Sequence, residues 1–90
     1  MKKLVHVYYT GYVQGVGFRF TAEDIAGGLG LTGWVKNLPD GRVELICEGD
    51  ESKIKDFLSR IEGAMKRYIQ KSDIDWQEYR GEFKDFDIRF

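Results

Sequence analysis

KLVHVYYTGYVQGVGFR, Lys3 to Arg19, runs from β-branched and aromatic residues straight into a glycine-bearing loop that ends on a single arginine. Lys3 to Thr10 is too short an apolar run for a helix and is rich in Val and Tyr, which predicts a strand stopping at Gly11. Gly15 and Gly17 lack a Cβ, so the backbone there can take positive φ and turn its N–H groups inward. A helix opening just after the loop adds unpaired N–H groups and the positive end of its dipole. Arg19 then stands where a cation meets a dipole of its own sign, a conflict that a bound anion resolves.

Working outward, Ala22, Ile25, Ala26 and Leu29 fall at i, i+3, i+4 and i+7, one helical stripe, with Gly30 placed to stop it. Gly27 and Gly28 inside that helix predict close packing against a neighbouring element. Thr32 to Leu38, the turn Pro39, Asp40 and Gly41, and Arg42 to Glu48 read as a hairpin. In its second strand Val43, Leu45 and Cys47 alternate with Arg42, Glu44, Ile46 and Glu48. Asp50 is a good N-cap for a second helix carrying Ile54, Phe57, Leu58 and Ile61. That helix stops at Gly63 or runs one turn further through Met65, Tyr68 and Ile69. Ser72 to Tyr79 and Asp85 to Phe90 alternate in the manner of strands with one buried face, Ile74 and Trp76 in the first, Phe86, Ile88 and Phe90 in the second. The order is βαββαβ plus a short C-terminal strand. Right-handed crossovers put both helices on one face of a mostly antiparallel sheet, a ferredoxin-like α/β sandwich of the α+β class.

Ninety residues with 42% apolar side chains suit a single domain spanning 1–90 and leave no room for a second. Net charge is −1, with cations dispersed among acids, so no basic face is expected for a nucleic acid. No apolar run approaches the roughly 18 residues that cross a bilayer, and no signal-peptide core follows Met1. No membrane partner is expected. The lone Cys47 excludes an internal disulfide and a cysteine-based zinc site, which fits a cytoplasmic location. The visible apolar positions are used up by one core, so a monomer is expected.

The loop lacks a Walker A pattern, and Phe20 stands where a dinucleotide fingerprint wants glycine. What remains is a cradle for one phosphate-sized group, with Arg19 able to fork two of its oxygens. Asn37, near the end of the strand before the hairpin turn, carries an amide that can both donate and accept, and so could hold a water against the bound group. Phosphoryl transfer asks little covalent chemistry of a protein, so clamping the phosphate and aligning a water can suffice. If the leaving group is a carboxylate, it departs as a stable anion without a general acid.

On these residues the chain resembles the acylphosphatase family, through HVYYTGYVQGVGFR (His6 to Arg19), LGLTGWVKNLPDGRVELICEGD (Leu29 to Asp50) and EYRGEFKDFDIRF (Glu78 to Phe90). The resemblance implies hydrolysis of the carboxyl–phosphate bond of small acyl phosphates, without metal or cofactor, with inorganic phosphate as product and inhibitor. It implies that the backbone of Gln14, Gly15, Val16, Gly17 and Phe18 binds the phosphate, that Arg19 clamps it, and that Asn37 orients the attacking water. Tyr12 occupies a position commonly basic in the family, which implies weaker long-range attraction for an anionic substrate. Gly63 to Asp73 lacks the proline-containing turn often found there, leaving the path into the next strand open.

Two other functions share these features. A module that binds phosphate or acyl phosphate without turnover would use the same loop. An RNA-recognition module shares the element order, but its third strand needs an aromatic, basic face, and RVELICE has no aromatic residue. Elsewhere, His6 reads as an exposed or hydrogen-bonded strand residue and Cys47 as a small core hydrophobe. Trp34, Trp76, Tyr79, Phe83, Phe86 and Phe90 read as core and sheet packing.

Overall fold

The computed structural model describes residues Met1–Phe90. Its elements are β1 (Lys2–Gly11), α1 (Phe18–Gly28), β2 (Thr32–Asn37), β3 (Val43–Asp50), α2 (Glu51–Ala64), β4 (Ile69–Glu78) and β5 (Phe86–Arg89). They build one five-stranded sheet in the order β4-β1-β3-β2-β5. Every neighbouring pair is antiparallel except β2 with β5. This is the expected ferredoxin-like arrangement, with the C-terminal strand added at the β2 edge.

Register explains the core. Val5, Val7 and Tyr9 of β1 lie opposite Cys47, Leu45 and Val43 of β3, and Val35 of β2 sits across from Leu45. Period-two alternation sends all of these to one face, where they pack with Phe18, Ala22 and Ala26 of α1 and Ile54, Phe57 and Ile61 of α2. Cys47 is buried as expected, and burial pushes its thiol up to about 12.

Several expectations are corrected. Gly27 and Gly28 face open space, so they mark no close packing. Asp50 stands at the N-cap of α2 as expected but makes no side-chain cap bond; its carboxylate lies 3.2 Å from the Met1 amino group instead. The second helix runs past Gly63 to Ala64, and the Met65 N–H closes it on the Ile61 carbonyl at 2.9 Å. Without a proline, the path onward is a turn in which Tyr68 and Ile69 N–H groups donate to the Met65 carbonyl. β4 then begins at Ile69, three residues before the predicted Ser72, and has no buried face: Ile74 is 44% and Trp76 39% exposed. Both point to the helix side, opposite Val7 and Val5, but β4 is an edge strand and adds no residue to the buried cluster.

Glu48 alternates with the core-facing Val43, Leu45 and Cys47 and so lies on the sheet face away from the helices, yet it is 1% exposed. Its carboxylate accepts the N–H groups of Arg80 at 2.8 Å, Gly81 at 2.9 Å and Glu82 at 3.2 Å, fastening the β4–β5 connection across the sheet. Among the aromatic residues, Phe86 joins the core and Trp34 is buried on the sheet face away from the helices, beneath Lys36 and Arg89. Trp76, Tyr79 and Phe90 are exposed rather than core.

Candidate active site

The end of β1 fixes the base of the loop. The Tyr12 N–H donates to the Tyr68 carbonyl at 2.9 Å, and Val13 is fully buried. Between Val13 and α1 the chain turns on Gly15 at φ 75° and Gly17 at φ 78°, left-handed conformations that a side chain would strain. Gly17 is also the N-cap of α1 and offers no side chain to its first turn. Phe18 is buried against Tyr9 with ring centroids 4.9 Å apart, which anchors the helix start. Val16 packs on the core.

The result is a run of backbone donors with no internal partner. From Gln14 to Phe20 no N–H group donates to an acceptor within the chain; the first helical bond is Thr21 N–H to the Gly17 carbonyl at 3.0 Å. Arg19, on the first turn of α1, forms no ion pair or hydrogen bond, and its guanidinium lies 4.9 Å from the centre of the Phe90 ring. No acidic side chain occupies that first turn.

Asn37 arrives from the other side. It is the last residue of β2, paired with Val43 of β3. Next to it, the Leu38 N–H donates to the Arg42 carbonyl at 2.8 Å and closes the turn. Asp40 stiffens that turn by accepting the Arg42 N–H at 3.1 Å and Nε at 2.8 Å, bonds that hold its carboxyl below the usual carboxylate range. Sequence separation is thus erased: Val13, Gly15, Gly17, Phe18, Arg19, Phe20 and Asn37 line one cavity of about 190 Å³.

Of the residues expected at the site, Gly15, Gly17, Phe18, Arg19 and Asn37 share this cavity, while Gln14 and Val16 form the loop without lining it. Phe20 was not anticipated. It lines the cavity and is 70% exposed, and the signal available was its place off the Ala22, Ile25, Ala26 and Leu29 stripe. Tyr12 is 79% exposed beside the loop. His6 is remote in role: its Nε2 lies 2.7 Å from Glu44 on the helix-free face. Chemically, the cavity combines backbone donors, a helix N-terminus and one permanent cation, an arrangement suited to a compact oxyanion.

The acylphosphatase family model matches residues 5–88. An acylphosphatase of Caldanaerobacter subterraneus subsp. tengcongensis is 44% identical over 98% of this chain and 99% of its own length. The crystal structure of an acylphosphatase from Bacillus subtilis superposes with a TM-score of 0.88 at 28% identity, covering 100% of both chains. An acylphosphatase from Coxiella burnetii gives a TM-score of 0.77 at 33% identity, over 98% of this chain and 93% of its own. No helix here is long and apolar enough to cross a membrane. A family match across nearly the whole chain, joined to near-complete superposition on solved members, makes the chain a member of the acylphosphatase family.

Proposed function

We propose that this acylphosphatase splits small acyl phosphates by holding the phosphoryl group in the Gln14 to Phe18 loop and delivering a water to phosphorus from Asn37. The observation that carries the reading is that backbone donors of the loop and the side chains of Arg19 and Asn37 meet at one cavity, while neither those donors nor those two side chains are hydrogen-bonded elsewhere in the chain. A phosphate monoester-like dianion fits that set. Loop N–H groups and the Arg19 guanidinium take its equatorial oxygens, and the charge spread over those oxygens in the loose transition state is met by donors already in place.

Asn37 supplies what a loop of donors lacks. Its carbonyl oxygen accepts from the incoming water and its amide donates to a phosphate oxygen, which fixes the water relative to phosphorus. As the new P–O bond forms, the bond from phosphorus to the acyl oxygen breaks and the carboxylate leaves with its electron pair. The proton lost by the water passes to a phosphate oxygen, so the products are a carboxylate and inorganic phosphate. No step calls on a general base, a metal or a cofactor.

Inorganic phosphate keeps every group that the loop and Arg19 recognise, so it binds the same site and inhibits competitively. Residues 1–90 act as one domain and as a monomer, since the apolar stripes of both helices, Ala22 and Ala26 on α1 and Ile54, Phe57 and Ile61 on α2, are taken up by one core. A reducing, cytoplasmic setting accords with the buried free thiol of Cys47. Nucleic acid is not a partner: Glu44 sits among His6, Tyr8 and Lys36 on the open sheet face where an RNA-recognition module would place bases.

The test is the hydrolysis of a synthetic aryl acyl phosphate followed by ultraviolet absorbance, without added metal. Turnover with competitive inhibition by phosphate is expected. Tight phosphate binding by a folded protein that releases none from the substrate would replace this reading with that of a non-catalytic binding module.

A further inference from the structure

The side chain of Gln14 leaves the loop and crosses to the β2–β3 turn. Its Nε2 donates to the Leu38 carbonyl at 2.8 Å and to the Arg42 carbonyl at 2.9 Å. Both N–H groups of the amide are therefore engaged. The two acceptors are the carbonyls that organise the turn: the Arg42 oxygen also receives the Leu38 N–H at 2.8 Å, and the Leu38 oxygen receives the Gly41 N–H at 3.1 Å. No other hydrogen bond joins Tyr12–Gly17 to Leu38–Arg42.

Asn37 immediately precedes Leu38 and shares the cavity with Gly15, Gly17 and Arg19. The two halves of the site come from segments that are distant in sequence, and one side chain provides the polar tie between them. We propose that Gln14 is a positioning residue that holds Asn37 in register with the phosphate loop, so that the water-orienting amide and the phosphate donors act at a fixed separation. The proposal rests on the roles assigned above to Asn37 and the loop.

Few side chains can do this. The turn presents two carbonyls, so the tie must supply two diverging donors without a net charge. Glutamate has the same reach, but its carboxylate would face two carbonyl oxygens with no proton to share. Methionine keeps the length and the apolar stem but donates nothing. Because a displacement of about 1 Å can lower a rate by roughly a hundredfold, loss of the tie is felt in kcat while the backbone donors and Arg19 still bind phosphate.

The test is a double-mutant cycle read by kcat, with the inhibition constant of inorganic phosphate measured alongside. Gln14→Ala should lower kcat about ten- to a hundredfold and change the phosphate inhibition constant less than about threefold. In an Asn37→Ala background, the same change should lower kcat by no more than about twofold, because the group being positioned is gone. Gln14→Met should behave like Gln14→Ala and carries the cycle if the smaller side chain fails to fold, whereas Gln14→Glu should lose more.

A wild-type kcat in Gln14→Met overturns the proposal. Equal losses in both backgrounds also overturn it, while leaving the role of Asn37 standing. So does a phosphate inhibition constant that rises in step with the loss of kcat, since Gln14 would then act on the loop rather than on Asn37. Full kcat in Asn37→Ala alone would remove the underlying assignment and the coupling together.

Discussion

The protein contains two loops whose backbone N–H groups are gathered in sequence, and it treats them in opposite ways. At Arg80 to Glu82 the donors converge on the Glu48 carboxylate at 2.8 to 3.2 Å, and that carboxylate is buried. At Gln14 to Phe20 the donors have no acceptor in the chain, and Arg19, the one charged side chain lining the cavity, adds to their positive character. One loop brings its own anion and the other leaves its donors open. The difference teaches that clustered N–H groups alone do not mark a binding site; the chain must also leave them unmatched. In a small fold where Glu44, Asp40 and Glu48 are each met by partners, the unmatched donors at the start of α1 stand out on physical grounds.

That contrast can be broken from either side. The largest effect belongs to Arg19→Ala, which removes the only cation lining the cavity. A charge-assisted clamp of this kind contributes about 3 to 4 kcal/mol at the transition state, so kcat/KM should fall on the order of a hundred- to a thousandfold with the melting temperature little changed. Steady-state kinetics beside a thermal melt reads both quantities. Turnover near that of the wild type would move the anion site away from this loop.

Asn37→Ala should follow, lowering kcat about ten- to a hundredfold while phosphate still binds, because the asparagine is assigned to the water rather than to the anion. Product-inhibition kinetics separates the two effects. An unchanged kcat with weakened phosphate inhibition would reverse that division of roles.

Glu48→Gln probes the other loop. It replaces one acceptor oxygen with an N–H donor facing backbone donors, and a buried donor left unsatisfied costs about 1 to 3 kcal/mol. A chemical denaturation series should show that loss while the folded variant keeps wild-type kcat. A drop in kcat at full stability would mean that the β4–β5 connection reports to the active site.

The smallest effect is expected at Tyr9, whose buried hydroxyl has no hydrogen-bond partner. Burial holds that hydroxyl far above the usual phenol range. Tyr9→Phe removes the orphaned group and keeps the ring against Phe18, so stability should be unchanged or rise by up to about 1 kcal/mol. A marked destabilisation would show that the hydroxyl is solvated or bonded in solution.

Much of this was legible in the residues. The apolar stripes of α1 and α2, the Pro39, Asp40 and Gly41 turn and the alternation in β3 depend on local periodicity, and periodicity is written in sequence. Arg19 and Asn37 were found because a cation at a helix start and an amide beside a turn each invite a reason, and the family resemblance tied them together. Alternation in β4 correctly put Ile74 and Trp76 on one face, but it cannot say whether anything covers that face, and at a sheet edge little does. Glu48 is the same lesson inverted. Its face is nominally the open one, yet a connection 32 residues away folds back over it. The Gln14 side chain escaped notice because its partners are carbonyls 24 and 28 residues away, and carbonyls have no sequence signature.

In the proposed mechanism water attacks phosphorus held in the Gln14 to Phe18 loop, not the acyl carbon outside it. Hydrolysis of an aryl acyl phosphate in ¹⁸O-labelled water, with both products analysed by mass spectrometry, tests this most directly. Attack at phosphorus puts the label in inorganic phosphate and none in the carboxylate. Label in the carboxylate would place the attack on carbon and contradict the roles assigned to Arg19, Asn37 and the loop.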